Sequence, residues 1–208
     1  LDPYFLTAVG LLVLTVISPG PAVLAILSTG MAKGRREALA LTAGVVSGSF
    51  VWAMIALFGF VGILEQLGAA LVWLKVAGGL YLLWLAHKAL RNAWSKVDPS
   101  PADLGPTQKF SRLYVAGLTL HLTNPKAVLG WAATITVGVR PGATTADAAI
   151  LVFTCIAIVA TLKTTMALGF STRAAMGFYL RARRWIQGVT GTFFATAGTA
   201  LIVDAVRR

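Results

Sequence analysis

Residues 4–31 read YFLTAVGLLVLTVISPGPAVLAILSTGM. The run is apolar almost throughout, except where Ser18-Pro19-Gly20-Pro21 cuts it near its middle. A helix needs roughly 20 mostly apolar residues to cross the hydrocarbon core of a bilayer, so the run is long enough to span. Each proline lacks an N–H and clashes with the carbonyl four residues back, while Gly20 permits backbone angles closed to other residues. The expectation is a helix broken at mid-length, with carbonyls freed at membrane depth. Such groups are tolerated there only against a polar cavity or a partner helix.

Runs of the same kind follow at about Leu39 to Leu64, Ala69 to Leu90, Phe110 to Val139, Ala146 to Phe170 and Trp185 to Val203. They lack the period-two alternation of barrel strands, and backbone groups cannot stay unpaired in hydrocarbon, so these too read as helices. Composition agrees, with 57% hydrophobic and 12% charged residues, about half the charged share of a soluble domain. The expected fold is an all-α membrane protein of six transmembrane helices. The first apolar stretch follows Leu1, Asp2 and Pro3 without a basic leader and is long, so it is read as a retained span rather than a signal peptide.

Lys and Arg total 18 against seven acidic residues, a balance that in a soluble protein would suggest nucleic-acid binding. Here the cations sit at the ends of apolar runs, and no basic-aromatic motif accompanies them, so lipid is the expected partner and nucleic acid is not. The first connection holds Lys33, Arg35 and Arg36; the third Lys88, Arg91, Lys96, Lys109 and Arg112; the fifth Arg173, Arg181, Arg183 and Arg184. The opposite side has only Lys75, Arg140, Arg207 and Arg208. The positive-inside bias then places the three basic connections in the cytoplasm and both termini outside it.

The longest connection contains Pro99, Pro101 and Pro106. It divides the chain into a three-helix half at 1–95, a cytoplasmic linker at 96–109 and a second three-helix half at 110–208. Three is odd, so the second half starts from the opposite face of the membrane, the topology of an inverted repeat. His121-Leu122-Thr123-Asn124-Pro125-Lys126 interrupts the fourth run, and Pro125 stands as far beyond Phe110 as Pro19 does beyond Tyr4. Helices 1 and 4 are thus expected to be broken at matching places, and paired breaks of this kind point to a substrate site between transporter repeats.

The candidate binding residues are Ser18, Pro19, Gly20, Pro21, His121, Asn124, Pro125 and Lys126. A lysine near the bilayer centre costs several kcal/mol unless hydrated or paired, and Lys126 is read as functional on that ground; the bland alternative is an ammonium capping freed carbonyls of the first helix. His121, with a reference pKa of about 6.5, is a candidate proton carrier or else a neutral imidazole bonded to backbone. Lys163 lies toward the cytoplasmic end of its run and is expected to snorkel. All seven carboxylates fall in connections or near span ends, so any proton coupling has to use His121, a lysine or water. Gly44, Gly48, Gly78, Gly79, Gly188, Gly191 and Gly198 are expected to permit close helix packing. Thr190, Thr192, Thr196 and Thr199 are expected to bond to their own backbone or a neighbouring helix.

At these residues the chain resembles the LysE/RhtB family of bacterial amino-acid exporters. The resemblance rests on Ser18-Pro19-Gly20-Pro21, Gly34-Arg35, the glycine-rich second run and Asn124-Pro125-Lys126-Ala127. It implies an inner-membrane protein that exports amino acids or close derivatives, driven by the proton gradient. Family members commonly have Asn or Asp where this chain has Ala22, and commonly Asn where it has His121.

The leading expectation is a secondary transporter exporting a small amino-acid-like solute, with proton coupling and a homodimer as further expectations. The alternatives are a membrane-embedded signalling or scaffold protein and a channel or transporter for another solute or ion. No enzyme, cofactor or metal site is expected. A thiol–disulfide carrier needs two cysteines and the chain has only Cys155, while hydrolytic or metal sites need more than His87 and His121.

Overall fold

The structure, a computed structural model, describes residues 2–66, 68–94, 109–139, 143–169 and 173–206. Its described residues form eight α-helices and no strand. These are α1 (Pro3–Ile17), α2 (Pro21–Lys33), α3 (Arg35–Gln66), α4 (Gly68–Trp94), α5 (Phe110–Leu122), α6 (Pro125–Gly138), α7 (Thr145–Gly169) and α8 (Arg173–Val206). The linker expected at 96–109 lies outside the described residues except for Lys109, which precedes α5.

By length and apolarity, stretches Arg35–Gly59, Thr145–Gly169 and Arg181–Val206 can each cross a membrane, and α1 with α2 makes a fourth candidate if the bent pair is one span. On the outer faces of α3, α4 and α7, Ile55, Phe58, Leu80, Ile150 and Phe153 are each more than half exposed. That is a surface suited to lipid.

The first break follows the proline chemistry. Asp2 accepts the N–H of Tyr4 at 2.9 Å to start α1. The helix closes with the Ser18 N–H on the Leu14 carbonyl at 3.0 Å, and Ser18 then turns extended. Pro21 opens α2, and the two pieces are bent by 48°. Gly20 corrects the expectation placed on it: at φ −162° it is extended backbone that any residue adopts, so its conformational freedom is not what makes the break.

The second break is tighter. Thr123 stays helical in its angles, Asn124 is extended, and the Asn124 side chain accepts the Lys126 N–H at 3.0 Å as Pro125 opens α6. A capping Asn followed by proline closes within two residues what Pro-Gly-Pro does in three. The proline at a half-helix start is therefore Pro21 in the first break and Pro125 in the second, rather than the Pro19 and Pro125 matched by sequence offset.

Helices α1 and α6 lie together at the centre. One face of α1, through Ala8, Leu12 and Val16, joins Trp131 and Ile135 of α6 and Val152, Cys155 and Val159 of α7 in one apolar cluster. Leu11, on another face, joins Ala133 of α6, Leu82 and Leu85 of α4 and Phe194 of α8 in a second. The half-helices thus sit between α3 and α7 on one side and α4 and α8 on the other.

Small residues set the close approaches. A Cβ on Gly44 of α3 would overlap the Tyr114 carbonyl of α5, and one on Gly117 of α5 would overlap the Leu41 carbonyl of α3. A Cβ on Gly79 would come within 2.9 Å of the Gly198 carbonyl, bringing α4 and α8 together in the same way. Gly188 departs from the expected pattern, since a Cβ there meets nothing within 4 Å. Thr196 donates to the Phe193 carbonyl at 2.9 Å as expected, whereas the buried Thr190 hydroxyl has no partner among the described residues.

Helix α8 runs well beyond the expected start at Trp185, so Arg181, Arg183 and Arg184 belong to a helix and not to a connection. Nothing between 173 and 206 is a proline, and arginine is a good helix former, so the chain has no local reason to stop at the edge of its apolar run.

Candidate functional site

The two breaks face each other. From the first turn of α6 the Lys126 ammonium donates to the Ser18 carbonyl at 3.2 Å, across the centre of the fold. A helix C-terminus leaves its last carbonyls unpaired and carries partial negative charge, which makes the end of α1 an acceptor for a cation. A second lysine uses the same end. Lys163 of α7, 4% exposed, donates to the Val16 carbonyl at 2.9 Å.

This corrects the sequence reading of Lys163. The side chain does not reach for the membrane edge but inward to the broken helix, because an acceptor lies within its length there. The signal was present in the sequence, since an ionisable residue within a span is a functional candidate by default. Gln187 of α8 was also missed; the Ser18 hydroxyl donates to its carbonyl oxygen at 3.5 Å.

Two cavities meet at the Lys126 contact. The larger, about 560 Å³, is lined by Pro19, Pro21 and Pro125 together with Trp84, Lys88, Asn92 and Arg183. The smaller, about 50 Å³, is lined by His121, Lys163, Ser49 and Trp131 among others. Ser18, Gly20, Asn124 and Lys126 line both. All eight sequence candidates therefore border a cavity, with His121 on the small chamber alone and the three prolines on the large vestibule alone.

The electrostatics run one way. Lys88, Lys126 and Lys163 follow one another from vestibule to chamber, each within electrostatic reach of the next. Lys88 also lies over the Trp84 ring at 5.1 Å, a cation–π contact at the vestibule wall. No Asp or Glu lines either cavity among the described residues. His121 is 8% exposed, and neither ring nitrogen has a hydrogen-bond partner among the described residues, so it is not the backbone-bonded imidazole that was one alternative. Trp131 is better satisfied, donating its Nε1–H to the Ser49 hydroxyl at 2.9 Å.

Chemically, the arrangement offers ammonium groups for an anion and carbonyl oxygens for a cation within one turn of each other. The vestibule is of the size of small-molecule sites. The chamber holds no more than a few waters. Among the described residues no three His, Cys, Asp or Glu gather to hold a metal.

The LysE type translocator family profile matches residues 13–205. The threonine efflux protein of Escherichia coli K12 is 35% identical over 205 residues, covering 96% of this chain and 98% of that protein. The threonine efflux protein of Salmonella typhi is 30% identical over 203 residues, with the same coverage of 96% and 98%. The leucine efflux protein of Enterobacter sp. strain 638 is 33% identical over 115 residues, covering 55% of this chain and 53% of that protein. No solved structure matches.

Proposed function

This chain belongs to the LysE type translocator family, and on that premise we propose that it is an inner-membrane secondary transporter exporting a small amino acid, with its solute path between the two helix breaks. It is a transporter and not an enzyme. The observation that carries the site is the Lys126–Ser18 contact, in which one broken helix closes on the other between two cavities.

A zwitterion fits this chemistry. Its carboxylate would be drawn to Lys126, and its ammonium to carbonyls that the breaks leave free of helical bonds. The solute class also has support from the relatives, whose names are threonine and leucine efflux proteins.

Six spans in two inverted halves, 1–95 and 110–208, remain the topology we propose, with 96–109 as a cytoplasmic linker and both termini outside. In that orientation the vestibule opens to the cytoplasm, since Lys88, Asn92 and Arg183 lie toward its basic connections. Solute would enter there, and the chamber would have to widen for it to pass. Proton coupling and a homodimer belong to the same proposal; with no carboxylate on the cavities among the described residues, protons would travel by His121, a lysine or water.

Cells expressing the protein, challenged with a panel of inhibitory amino acids and analogues, test the function. Protection against threonine, homoserine or leucine, accompanied by lower intracellular levels of the same compound, is the expected result. Unchanged accumulation of every amino acid in the panel would contradict it.

A further inference from the structure

The chamber beyond the Lys126 contact contains more than a transporter needs merely to stay folded. Lys163 is 4% exposed, yet among the described residues its one bond is to a neutral acceptor, the Val16 carbonyl. A desolvated ammonium gains far more from an anion than from one carbonyl dipole, and no carboxylate of the described residues lines the chamber to supply it. His121 borders the same space with both ring nitrogens unpartnered and is itself more than nine-tenths buried. A buried lysine with no anionic partner and an unsatisfied imidazole around one cavity, both among the described residues, make a place suited to a carboxylate.

Resting on the export reading above, we infer that Lys163 and His121 form a second carboxylate subsite, and that the two lysine–carbonyl bonds at the end of α1 are exchanged for the two charges of a zwitterionic solute. In this structure each lysine ammonium occupies the carbonyl that the solute's own ammonium would take. When the solute enters, its carboxylate takes the lysine, and the carbonyl thus released takes the solute's ammonium. Each bond broken is replaced by one of the same or stronger kind, and no carbonyl or ammonium is left bare at membrane depth. Val16 and Ser18 lie two residues apart at the end of α1, so the exchange can occur first at Lys126, from the vestibule, and then at Lys163, once the chamber of about 50 Å³ has widened to admit the solute. A solute lacking either charge can complete only half of it.

The alternative, a purely structural cap, predicts different behaviour. A capping Lys163 would keep α1 in place, and its loss would lower the amount or maximal rate of active protein without changing which solutes bind or how tightly.

Counterflow of labelled threonine in proteoliposomes separates the two. With the wild-type protein, threoninamide, which lacks the carboxylate, and N-acetylthreonine, which lacks the ammonium, are expected not to compete at concentrations where unlabelled threonine does. Lys163→Gln is expected to raise the half-saturating threonine concentration by about tenfold or more, while Lys163→Arg stays close to wild type. Equal competition by either analogue would overturn the exchange, as would a Lys163→Gln protein that loses only maximal rate at unchanged half-saturation. If Lys163→Gln fails to insert, His121→Ala decides: a raised half-saturating threonine concentration is expected, and an unchanged one would overturn the subsite. A wild-type protein that moves no amino acid would overturn both this inference and the export reading beneath it, whereas threonine counterflow indifferent to Lys163 would overturn this inference only.

Discussion

The Lys126 ammonium and the Ser18 carbonyl, 3.2 Å apart, join two helices that are each interrupted by proline. A Cβ built on the neighbouring Gly20 would sit 3.7 Å from the same ammonium, an ordinary contact distance. The partition between vestibule and chamber is therefore made of one side-chain bond and little bulk, an arrangement that a solute can open without unfolding either helix.

Removal of that bond is expected to weaken transport before it harms the fold. Lys126→Met should lower threonine counterflow by about tenfold or more, because a charged hydrogen bond to the solute is worth about 1.5–3 kcal/mol. Lys126→Arg, which keeps the charge, should retain part of it. Counterflow at equal amounts of reconstituted protein measures this, and equal rates for Lys126→Met and wild type would remove Lys126 from the solute path.

Asn124 is expected to act mainly as a cap. Asn124→Ala removes the acceptor for the Lys126 N–H and should cost about 1 kcal/mol of stability. Asn124→Asp keeps the acceptor and should melt near wild type. Thermal unfolding in detergent measures both, and equal melting of the alanine variant would show that α6 starts without its cap.

The contact between α3 and α5 gives a purely structural prediction. Gly44→Ala and Gly117→Ala each push a methyl group onto the backbone of the facing helix, and overpacking of this kind typically costs about 1–3 kcal/mol. Gly188→Ala, inside α8 where the space is open, should raise stability by about 0.5–1 kcal/mol, since alanine is the better helix former. Melting temperatures of the three variants check the contrast, and three equal values would contradict the packing.

What the sequence made legible was chemistry that acts within a few residues. Pro19, Pro21 and Pro125 lack N–H groups wherever they stand, so the breaks could be read before any neighbour was known. The family followed from the same residues. The reach of Lys163 to Val16 could not be read, because it depends on α7 packing beside α1, a contact between residues far apart in the chain. Gly188 looked like Gly191 in the sequence, yet only Gly191 faces α4, where its Cβ would come within 2.7 Å of Leu90; the face a glycine presents is set by the neighbour helix. Arg181 to Arg184 marked an expected membrane edge, but the edge of an apolar run is not the end of a helix when no proline or cap stops it.

A thiol at the crossing of the two breaks tests most directly whether solute and water reach it. Gly20 lines both cavities and has room for a side chain, and the buried Cys155 can be replaced by serine to leave a single reporter. In membrane vesicles of Gly20→Cys with Cys155→Ser, a charged, membrane-impermeant maleimide is predicted to label the thiol from the cytoplasmic side, and threonine is predicted to slow that labelling. A thiol that reacts only after the protein is denatured would contradict a wet solute path between the broken helices.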